Sequence, residues 1–392
     1  MNRFLAVSLM LIISCSRQQT TQILEFWQFW TDPQAKPVIE SIIDRFEREN
    51  PGWQVNITDL TWSDGHQKIA VAFAAGQPPD LLELGSDWIA EFAAAHALSE
   101  IEIDTAKLLL TTPGIYDGKI YGRPWFIATR VFYFNKTLLD KAGVGLPRDW
   151  QELLIACRRI DSLGEDISGF GANSAEPHRL YKKFLPFFWS CGGEFGSDEQ
   201  FSLDTPEMLK ALEFYGELAR CGRIELQRHL EDEFCEGKIG FLISGGWLLK
   251  RLKESPPGFE YQLSPVIPER AGAIGWSFAG GEYLVIPEKS TKRQAAQKLM
   301  AYLTQYEDTK NLCQAVGFGF PPYKISNPDS LSESMATLFN QLVNSRSTPA
   351  HSRWVYIENI IESMIEQVTL GQATPSEAIK SAQRKIEQTI LN

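Results

Sequence analysis

The sequence predicts an α/β protein that consists of two lobes. Strand-type and helix-type segments alternate at short spacing between residues 22 and 88, an order typical of right-handed crossovers in a mainly parallel sheet. The chain has 392 residues, whereas a single hydrophobic core stops growing at roughly 250–300 residues. We therefore expect two cores, with any small ligand at the carboxyl ends of the strands.

The first elements follow from hydrophobic periodicity and from residues that end helices. Val38, Ile42, Ile43 and Phe46 lie on one face of a helix, and Pro51-Gly52 ends it. In order, the predicted elements are a strand over 23–30, a helix over 37–50, a strand over 53–57, a helix over 66–75 and a short buried strand over 81–84.

Residues 117–154 predict a turn, a strand and two helices. Asp117-Gly118 forms the turn because Gly adopts positive φ without steric cost. Pro124 is predicted to end the approach to the next strand because it fixes φ. The elements that follow are a strand over 129–134 with alternating aromatic side chains, a short helix over 138–142 closed by Gly143, and a helix that starts at Trp150.

The N-terminus has the features of an export signal. Arg3 is the only charged residue before Cys15, and an apolar run covers residues 4–13. This run is too short to span a bilayer but has the length of the apolar region of a signal peptide. Residues 12–15, Ile-Ile-Ser-Cys, resemble a bacterial lipobox; the alternative is an ordinary signal peptide with a chance Cys. The predicted parts are a signal peptide over 1–14, lipidation at Cys15 and a polar tether over 15–21.

Composition argues against a nucleic-acid partner and against a membrane-spanning segment after the first apolar run. The formal net charge is −11, and nothing supplies the basic stripe that phosphate-backbone binding needs, so we expect no nucleic-acid partner. After the first apolar run no second long one follows, so we do not expect the rest of the chain to span a membrane.

Five cysteines remain besides Cys15. Their odd number and unpaired spacing match neither a disulfide framework nor a zinc site, and we expect no metal and no cofactor. Most should be small core residues, while one bridge in an oxidising compartment stays open without an assignment of its pair. The five are Cys157, Cys191, Cys221, Cys235 and Cys313.

Motifs of common enzymes are missing from the sequence. It contains no His-Glu-x-x-His, no Gly-x-Ser-x-Gly, no P-loop and no dinucleotide-binding glycine triplet. Glu231, Asp232 and Glu233 could suggest glycosidase chemistry, but they are consecutive and are expected on a solvated turn before a strand. A carbohydrate-active enzyme is therefore the less favoured alternative.

Several fragments occur in a recognisable order along the chain. Residues 76–80 have the pattern of a Gly-x-x-Pro-Asp turn. Residues 117–154 contain, in this order, a turn, Pro, an aromatic strand, Asn-Lys, Leu-Leu, Ala-Gly, Pro, Trp and Glu. The further fragments are a Phe-containing strand entry at 233–241, Ser-Gly-Gly-Trp at 244–247, a Gly-Gly strand at 279–286 and an amphipathic helix at 371–391. In this order they resemble the extracellular solute-binding proteins of the maltose-binding type (family 1), which serve ATP-binding-cassette (ABC) importers.

The resemblance implies the two-lobed periplasmic-binding-protein fold with a ligand cleft between the lobes. It implies that the chain crosses between lobes three times, near 124–130, 276–282 and 320–325. The lobe limits that follow are 22–127 plus 283–325 for the N-lobe and 128–282 plus 326–392 for the C-lobe.

The resemblance also implies the partners and the location. A protein of this kind closes its lobes around a small-molecule carbohydrate and is engaged by the transmembrane subunits of an ABC permease. We expect a monomer that is exported and anchored by lipid to the cell membrane, facing the periplasm or the cell exterior. A sensor that reports ligand occupancy to a receptor would use the same machinery and stays an open alternative.

Aromatic residues at strand ends are candidates for contact with a sugar ring, which offers an apolar C–H face. Trp27, Trp53 and Trp150 lie inside periodic segments and are expected in the core. Trp62, Trp189, Trp276 and Trp354 are open between core and cleft, and Trp276 is kept as a candidate. The stronger candidates, each beside Gly, Pro or Asp at a strand end, are Trp30, Trp88, Trp125 and Trp247.

Polar candidates come mainly from the resemblance. Asp87 matches a family position that bonds sugar hydroxyls, and Glu194 lies where relatives carry an acid in the cleft. Arg130 follows the first crossover and would bind a hydroxyl pair, bind an anion or form a hinge salt bridge. Gly280 and Gly281 would let the backbone approach the ligand, and Tyr323 would lie at the third crossover.

The predicted ligand is a neutral mono- or oligosaccharide. The rival is a polyol phosphate such as glycerol phosphate, which needs several cations in the cleft. Arg130 is the only cation that the sequence places there, and this favours the neutral sugar.

Overall fold

The computed structural model describes residues 21–174, 176–196, 201–324 and 331–391. The predicted signal peptide, Cys15, the tether up to residue 20 and residue 325 of the third crossover lie outside the described residues. Within the described ranges, no helix combines the length and the apolar character needed to cross a bilayer.

The first half of the molecule, the N-lobe, has the predicted alternation of strands and helices. Strand β1 lies between β2 and β3 and is parallel to both. The observed bounds are within two residues of the predicted ones at nearly all ends, because hydrophobic periodicity and helix-ending residues act locally. They are β1 (Gln22–Gln28), α1 (Lys36–Glu49), β2 (Trp53–Asp59), α2 (Gly65–Ala74), β3 (Leu81–Gly85) and α3 (Ile89–Ala94).

Strand β1 ends two residues before the predicted position. The backbone N–H of Phe29 donates to Glu83 Oε2 at 2.7 Å, and that of Trp30 donates to Gln28 Oε1 at 2.5 Å. Since these groups bond to side chains and not to a neighbouring strand, the chain turns and presents both aromatic rings at the strand end.

Two long antiparallel strands, β6 (Gly122–Asn135) and β11 (Ser277–Val285), connect the lobes. The prediction that Pro124 ends the approach to a strand is wrong, because Pro124 lies inside β6. The pairing register shifts between Glu282 and Tyr283, so that Trp125 has no paired residue on β11. An irregularity of this kind is where a strand tolerates the missing N–H of proline.

The rest of the chain, which forms the C-lobe and completes the N-lobe, adds further strands to the same sheet and the remaining helices. The sheet follows the order β2-β1-β3-β11-β6-β9-β7-β8. Its remaining strands are β7 (Ser168–Asn173), β8 (Gly222–Glu225), β9 (Ile239–Gly245), β10 (Tyr261–Ser264) and β12 (Ser345–Arg346); β4 (Ile115–Tyr116) and β5 (Lys119–Ile120) form a separate hairpin. The helices are α4 (Lys136–Lys141), α5 (Trp150–Asp161), α6 (Tyr181–Ser190), α7 (Pro206–Arg220), α8 (Gln227–Cys235), α9 (Gly246–Glu254), α10 (Arg293–Leu303), α11 (Tyr306–Val316), α12 (Glu333–Val343), α13 (Trp354–Thr369) and α14 (Pro375–Leu391).

Each lobe has its own core, as the α/β two-lobed fold requires. In the N-lobe α1 packs against α10 and α11, which follow β11 in sequence. In the C-lobe α6 and α7 pack against α13 and α14 from the end of the chain. Both lobes are thus assembled from separate stretches of sequence; the residue limits given above for the lobes stay a prediction.

The C-lobe core contains a disulfide between Cys157 and Cys221, whose Cα atoms are 5.9 Å apart. This assigns the pair that the sequence left open. Among the other cysteines of the described chain, Cys313 is buried and Cys191 and Cys235 are half-buried free thiols.

Candidate ligand-binding cavity

A cavity of about 410 Å³ lies between the two lobes, within the range of roughly 300–1,000 Å³ that is usual for small-molecule sites. The carboxyl ends of β1 and β3 border it on the N-lobe side, as expected for an open α/β sheet. The start of α6, helix α8 and the start of α9 border it on the C-lobe side. Residues of the connecting strands β6 and β11 lie between these two walls.

The N-lobe wall is aromatic. Trp62 stacks on Phe29 with ring centroids 4.2 Å apart and lies 5.5 Å from Trp88. Trp30 packs edge-on against Phe126 at 4.8 Å. Trp62 keeps 36% of its surface exposed, so part of this side chain is available to a ligand. The predicted candidates Trp30 and Trp88 thus line the cavity, and so does Trp62, whose place the sequence left open.

Asp87 lines the cavity and connects the lobes. Its carboxylate accepts a hydrogen bond from Tyr181 Oη at 2.8 Å and pairs with Lys182 Nζ at 2.8 Å. Burial acts to raise the pKa of Asp87, but the charge of Lys182 and the hydrogen bonds from Lys182 and Tyr181 bring this pKa below its ordinary value. Asp87 therefore lies where predicted, with one oxygen already engaged by the C-lobe.

Arg130 and Trp247 face the cavity together from β6 and α9. The guanidinium carbon of Arg130 lies 4.7 Å from the Phe278 ring centroid and 5.6 Å from that of Trp247. Protein surrounds Arg130 and lowers its pKa to about 10, so the side chain stays charged at neutral pH. Lys183 reaches the same ring, with Nζ 5.2 Å from the Trp247 centroid.

Glu231 holds Trp247 in place from behind. Its Oε1 accepts hydrogen bonds from Trp247 Nε1 and Ser244 Oγ, both at 2.7 Å, and from Gln227 Nε2 at 2.8 Å. The expectation that residues 231–233 form a solvated turn is wrong, since they belong to α8 and Glu231 is only 4% exposed. Their helical position turns Glu231 inward and Asp232 toward solvent.

Two further carboxyl groups border the cavity at β3 and β11. Glu83 is fully buried, and its pKa lies well above the ordinary range because of burial and the nearby Glu282. Burial raises the pKa of Glu282 to about 8. At neutral pH Glu282 is therefore mainly protonated, and its hydroxyl can donate as well as accept a hydrogen bond.

A loop before α6 brings His178 to the cavity. The ring of His178 lies 6.0 Å from that of His66 and 6.1 Å from that of Trp88, both in the N-lobe. Its Nδ1 bonds to Glu358, and this bond raises the pKa of His178. The backbone has φ of +65° at His178, and the buried Glu362 accepts the N–H groups of residues 178 and 179 at 3.2 and 3.0 Å.

Trp125, a predicted ligand contact, does not line the cavity. It is fully buried in the N-lobe core, 6.1 Å from Phe26 and 6.4 Å from Trp30 between ring centroids. Side chains alternate along a strand, and on β6 it is Phe126, Ala128 and Arg130 that face the cavity. The prediction for Trp125 is therefore wrong.

Glu194, Trp276 and Tyr323 also lie outside the lining. Glu194 is 72% exposed and pairs with Arg346 at 3.2 Å, and the Arg346 guanidinium stacks on Trp276 at 4.4 Å. The Tyr323 hydroxyl donates to the Thr304 carbonyl. The structure therefore does not bring these three residues into the cavity lining, and their contact with a ligand stays a prediction.

The remaining tryptophans lie in the core or at its edge. Trp150, Trp189 and Trp354 are buried in the C-lobe core, whereas Trp27 and Trp53 are half-buried. Gly280 and Gly281 line the cavity, where a Cβ on Gly281 would lie 2.0 Å from the Phe126 carbonyl oxygen. Only glycine fits that close approach of β11 to β6.

The sequence missed most of the charged lining. Besides Arg130, the cavity is bordered by four cations that come from the loop before α6 and from α6 and α8: Arg179, Lys182, Lys183 and Arg228. The premise that Arg130 is the only cleft cation is therefore wrong. The one available signal was the cluster of three basic residues within 179–183, which begins two residues after Pro177.

The two-lobed α/β fold and the cavity lined from both lobes define a protein that holds a small solute between its lobes. Residues 31–310, more than half of the chain, match the family of bacterial extracellular solute-binding proteins. The chain belongs to this family and is of the maltose-binding type. Its members are exported binding proteins of ABC transporters and not enzymes, so the chain binds a solute without transforming it.

Individual relatives cover nearly the whole chain. A binding protein of Brucella abortus is 26% identical over 374 residues, covering 90% of this chain and 89% of that protein. The maltooligosaccharide ABC transporter solute-binding lipoprotein of Streptococcus pneumoniae is 22% identical over 392 residues, covering 92% and 88%. An ABC transporter solute-binding protein of Thermotoga lettingae, solved with α-D-tagatose, has a TM-score of 0.81 at 25% identity and covers 94% of this chain and 100% of that chain.

Proposed function

We propose that this protein captures a mono- or oligosaccharide between its lobes and delivers it to the transmembrane subunits of an ABC importer. The observation that carries the proposal is that aromatic side chains from both lobes line the cavity. Trp62, stacked on Phe29, lies on the N-lobe side, and Trp247 lies on the C-lobe side. Flat rings of this kind match the apolar C–H faces of a sugar.

Hydrogen-bonding groups also line the cavity. One carboxyl oxygen of Glu83 and one of Glu282 have no hydrogen-bond partner among the described residues. The buried Nε1 atoms of Trp30 and Trp88 also lack a partner there. Sugar hydroxyls both donate and accept, so they suit such a mixed set. Closure of the lobes would then bury both faces of a sugar ring.

A titration of Trp62→Ala tests this proposal. Each aromatic stack contributes about 1 kcal/mol beyond burial, so we expect affinity for a bound saccharide to fall about fivefold. Isothermal titration calorimetry after a thermal-shift screen with glucose, galactose, maltose and maltotriose measures the loss. Tyr356→Ala is the matched control, since Tyr356 is 64% exposed and lies outside the cavity lining. Unchanged affinity in Trp62→Ala would contradict the proposal.

We also propose that Cys15 anchors the mature monomer to the membrane by lipid. The lipobox-like sequence before Cys15 supports this, and the Streptococcus pneumoniae relative is named a lipoprotein. Mass spectrometry of the native protein should show a lipidated N-terminal Cys15; an unmodified N-terminus at another residue would rule this out.

A second ligand class is favoured by the charged lining. Five Arg and Lys side chains border the cavity against four carboxyl groups, of which Glu282 is mainly protonated at neutral pH. An acidic ligand such as a polyol phosphate would offset this excess of positive charge. It would bind more weakly as ionic strength rises, whereas a neutral sugar would not.

A further inference from the structure

Two cations line the cavity without an acidic partner. Lys183 is only 4% exposed, and its Nζ has no hydrogen-bond partner in the described part of the chain. Arg130 likewise has a buried Nε without an acceptor, and no ion pair to it is found among the described residues. A buried charge is strongly disfavoured unless an opposite charge or hydrogen bonds offset the loss of water.

The two cations converge on one aromatic ring. Lys183 Nζ lies 5.2 Å and the Arg130 guanidinium carbon 5.6 Å from the centroid of Trp247. Burial, followed by the charge of Arg130, lowers the pKa of Lys183 well below its ordinary value. Since the charge of Arg130 disfavours the charged form of Lys183, a bound anion that contacts both side chains would favour that charged form again.

The acids around this pair are already engaged elsewhere. Glu231 accepts hydrogen bonds from Trp247, Ser244 and Gln227. Glu176 pairs with Arg179 at 2.7 Å and accepts from Asn173 at 2.8 Å. Asp87 is bound by Tyr181 and Lys182, and burial keeps Glu282 mainly protonated at neutral pH.

We propose that Arg130 and Lys183 form an anion subsite beside Trp247 and that the physiological ligand is an acidic saccharide whose carboxylate or phosphate group occupies it. This inference rests on the proposed function, since it adds one charged substituent to the saccharide. The planar guanidinium of Arg130 binds either anion through paired N–H groups, and the ammonium of Lys183 supplies a point charge. The sugar ring bearing the acid lies against Trp247, and the rest of the ligand extends toward Trp62.

Calorimetry with matched ligands tests the subsite on the unmodified protein. The pairs are glucose with glucuronate, galactose with galacturonate, and galactobiose with digalacturonate. Glucose 6-phosphate, glycerol phosphate, glycerol and inorganic phosphate separate the carboxylate from the phosphate and the sugar from the anion alone. We expect an acidic saccharide to bind at least tenfold more tightly than its neutral partner at 50 mM salt, with an advantage that shrinks as salt rises.

Substitution of Lys183 tests the residue assignment. In Lys183→Met the ratio of the neutral to the acidic dissociation constant should fall at least tenfold, because the ammonium is lost while the methylene volume is kept. Lys210→Met is the matched control, since Lys210 pairs with Glu269 at 3.0 Å away from the cavity. If Lys183→Met does not fold, the salt dependence of ligand binding to the unmodified protein still tests the subsite.

The outcomes separate the subsite from the proposed function. A neutral saccharide that binds as tightly as its acidic partner, at all salt concentrations, overturns the subsite and leaves the proposed function standing. Binding of glycerol phosphate without any saccharide overturns the proposed capture of a saccharide, and the acidic saccharide with it, whereas it supports the anion subsite of Arg130 and Lys183. If no ligand of either class binds, both are overturned.

Discussion

Asp87 of the N-lobe, which lines the cavity, accepts a 2.8 Å hydrogen bond from the buried Tyr181 hydroxyl of the C-lobe, and this bond joins the two lobes. The same carboxylate pairs with Lys182. A second ion pair, Asp32 with Lys250 at 3.3 Å, also joins the lobes. Residues at the edge of the cavity therefore take part directly in the balance between open and closed lobes.

Replacement of Asp87 should shift this balance. Asp87→Asn removes the charge that Lys182 faces in a buried setting, and we expect a loss of about 2 kcal/mol of closure energy, or about 30-fold in the closed-to-open ratio. Small-angle X-ray scattering of the unliganded protein should show a larger radius of gyration. Asp44→Asn, on the exposed face of α1, is the control and should match the unmodified protein. An unchanged radius in Asp87→Asn would show that this contact does not govern closure.

Removal of Glu231 should disturb the C-lobe wall of the cavity. Glu231→Ala removes the acceptor that Gln227, Ser244 and Trp247 share, and we expect a loss of about 3 kcal/mol of unfolding free energy. Tryptophan fluorescence should shift to the red as Trp247 loosens. Urea denaturation measures the first effect and emission spectra the second.

The control for Glu231 lies on the same helix. Asp232 is 45% exposed and pairs with Arg251, so Asp232→Ala should cost less than about 1 kcal/mol. Equal losses in the two variants would mean that the hydrogen bonds to Glu231 do not support the Trp247 wall.

Because Glu282 has a raised pKa in the folded protein, the free energy of unfolding should fall as pH rises. The folded pKa is about 8 against an ordinary value of 4.5, so between these two values the folded protein holds a proton that the unfolded chain releases. Unfolding free energy therefore decreases with rising pH across this window. Glu362, with a pKa of about 7, and His178, whose pKa is raised, act in the same direction.

Glu282→Gln measures how much Glu282 contributes to this loss of stability at higher pH. Amide substitution removes the titrating group, so the decline in melting temperature between pH 5 and pH 8 should become shallower without vanishing. Glu40→Gln on the exposed face of α1 should keep the full decline. A curve for Glu282→Gln that coincides with that of the unmodified protein would show that Glu282 is charged in the folded state.

The Cys157–Cys221 disulfide should stabilise the C-lobe. The two cysteines are 64 residues apart, and for a loop of this length the chain-entropy relation gives about 4 kcal/mol. We expect dithiothreitol to lower the melting temperature. Thiol labelling of the denatured, unreduced protein should modify Cys191, Cys235 and Cys313 but neither Cys157 nor Cys221; labelling of all five would contradict the bridge.

The elements of the N-lobe were predictable because their signals are local. A helix over 37–50 was predicted and Lys36–Glu49 is observed, since one apolar face and a Pro-Gly pair define it without reference to the rest of the chain. The parallel pairing of these strands and the position of the cavity at the strand ends follow from the same alternation. The family resemblance came from fragments in the correct order along the sequence.

The residues that line the cavity were not all predictable, because the side of a strand or helix that faces the cavity is decided by packing. Trp125 and Phe126 are neighbours in sequence, and because side chains alternate along β6, Trp125 lies in the core and Phe126 at the cavity. Lys182 and Lys183 are also neighbours, but successive residues of a helix point about 100° apart. One therefore meets Asp87 of the other lobe and the other is buried beside Trp247.

The α/β class, the two lobes, the family and several aromatic residues of the cavity follow from the amino-acid sequence, because composition, periodicity and motif order are carried by short stretches of chain. The charge of the cavity, the disulfide pair and the burial of Glu231 follow from the packed molecule. Each of these depends on groups that are distant in sequence, such as Cys157 and Cys221, or on a burial that a local pattern does not specify. Packing of the two lobes brings these groups together, and desolvation then determines which of them stay charged.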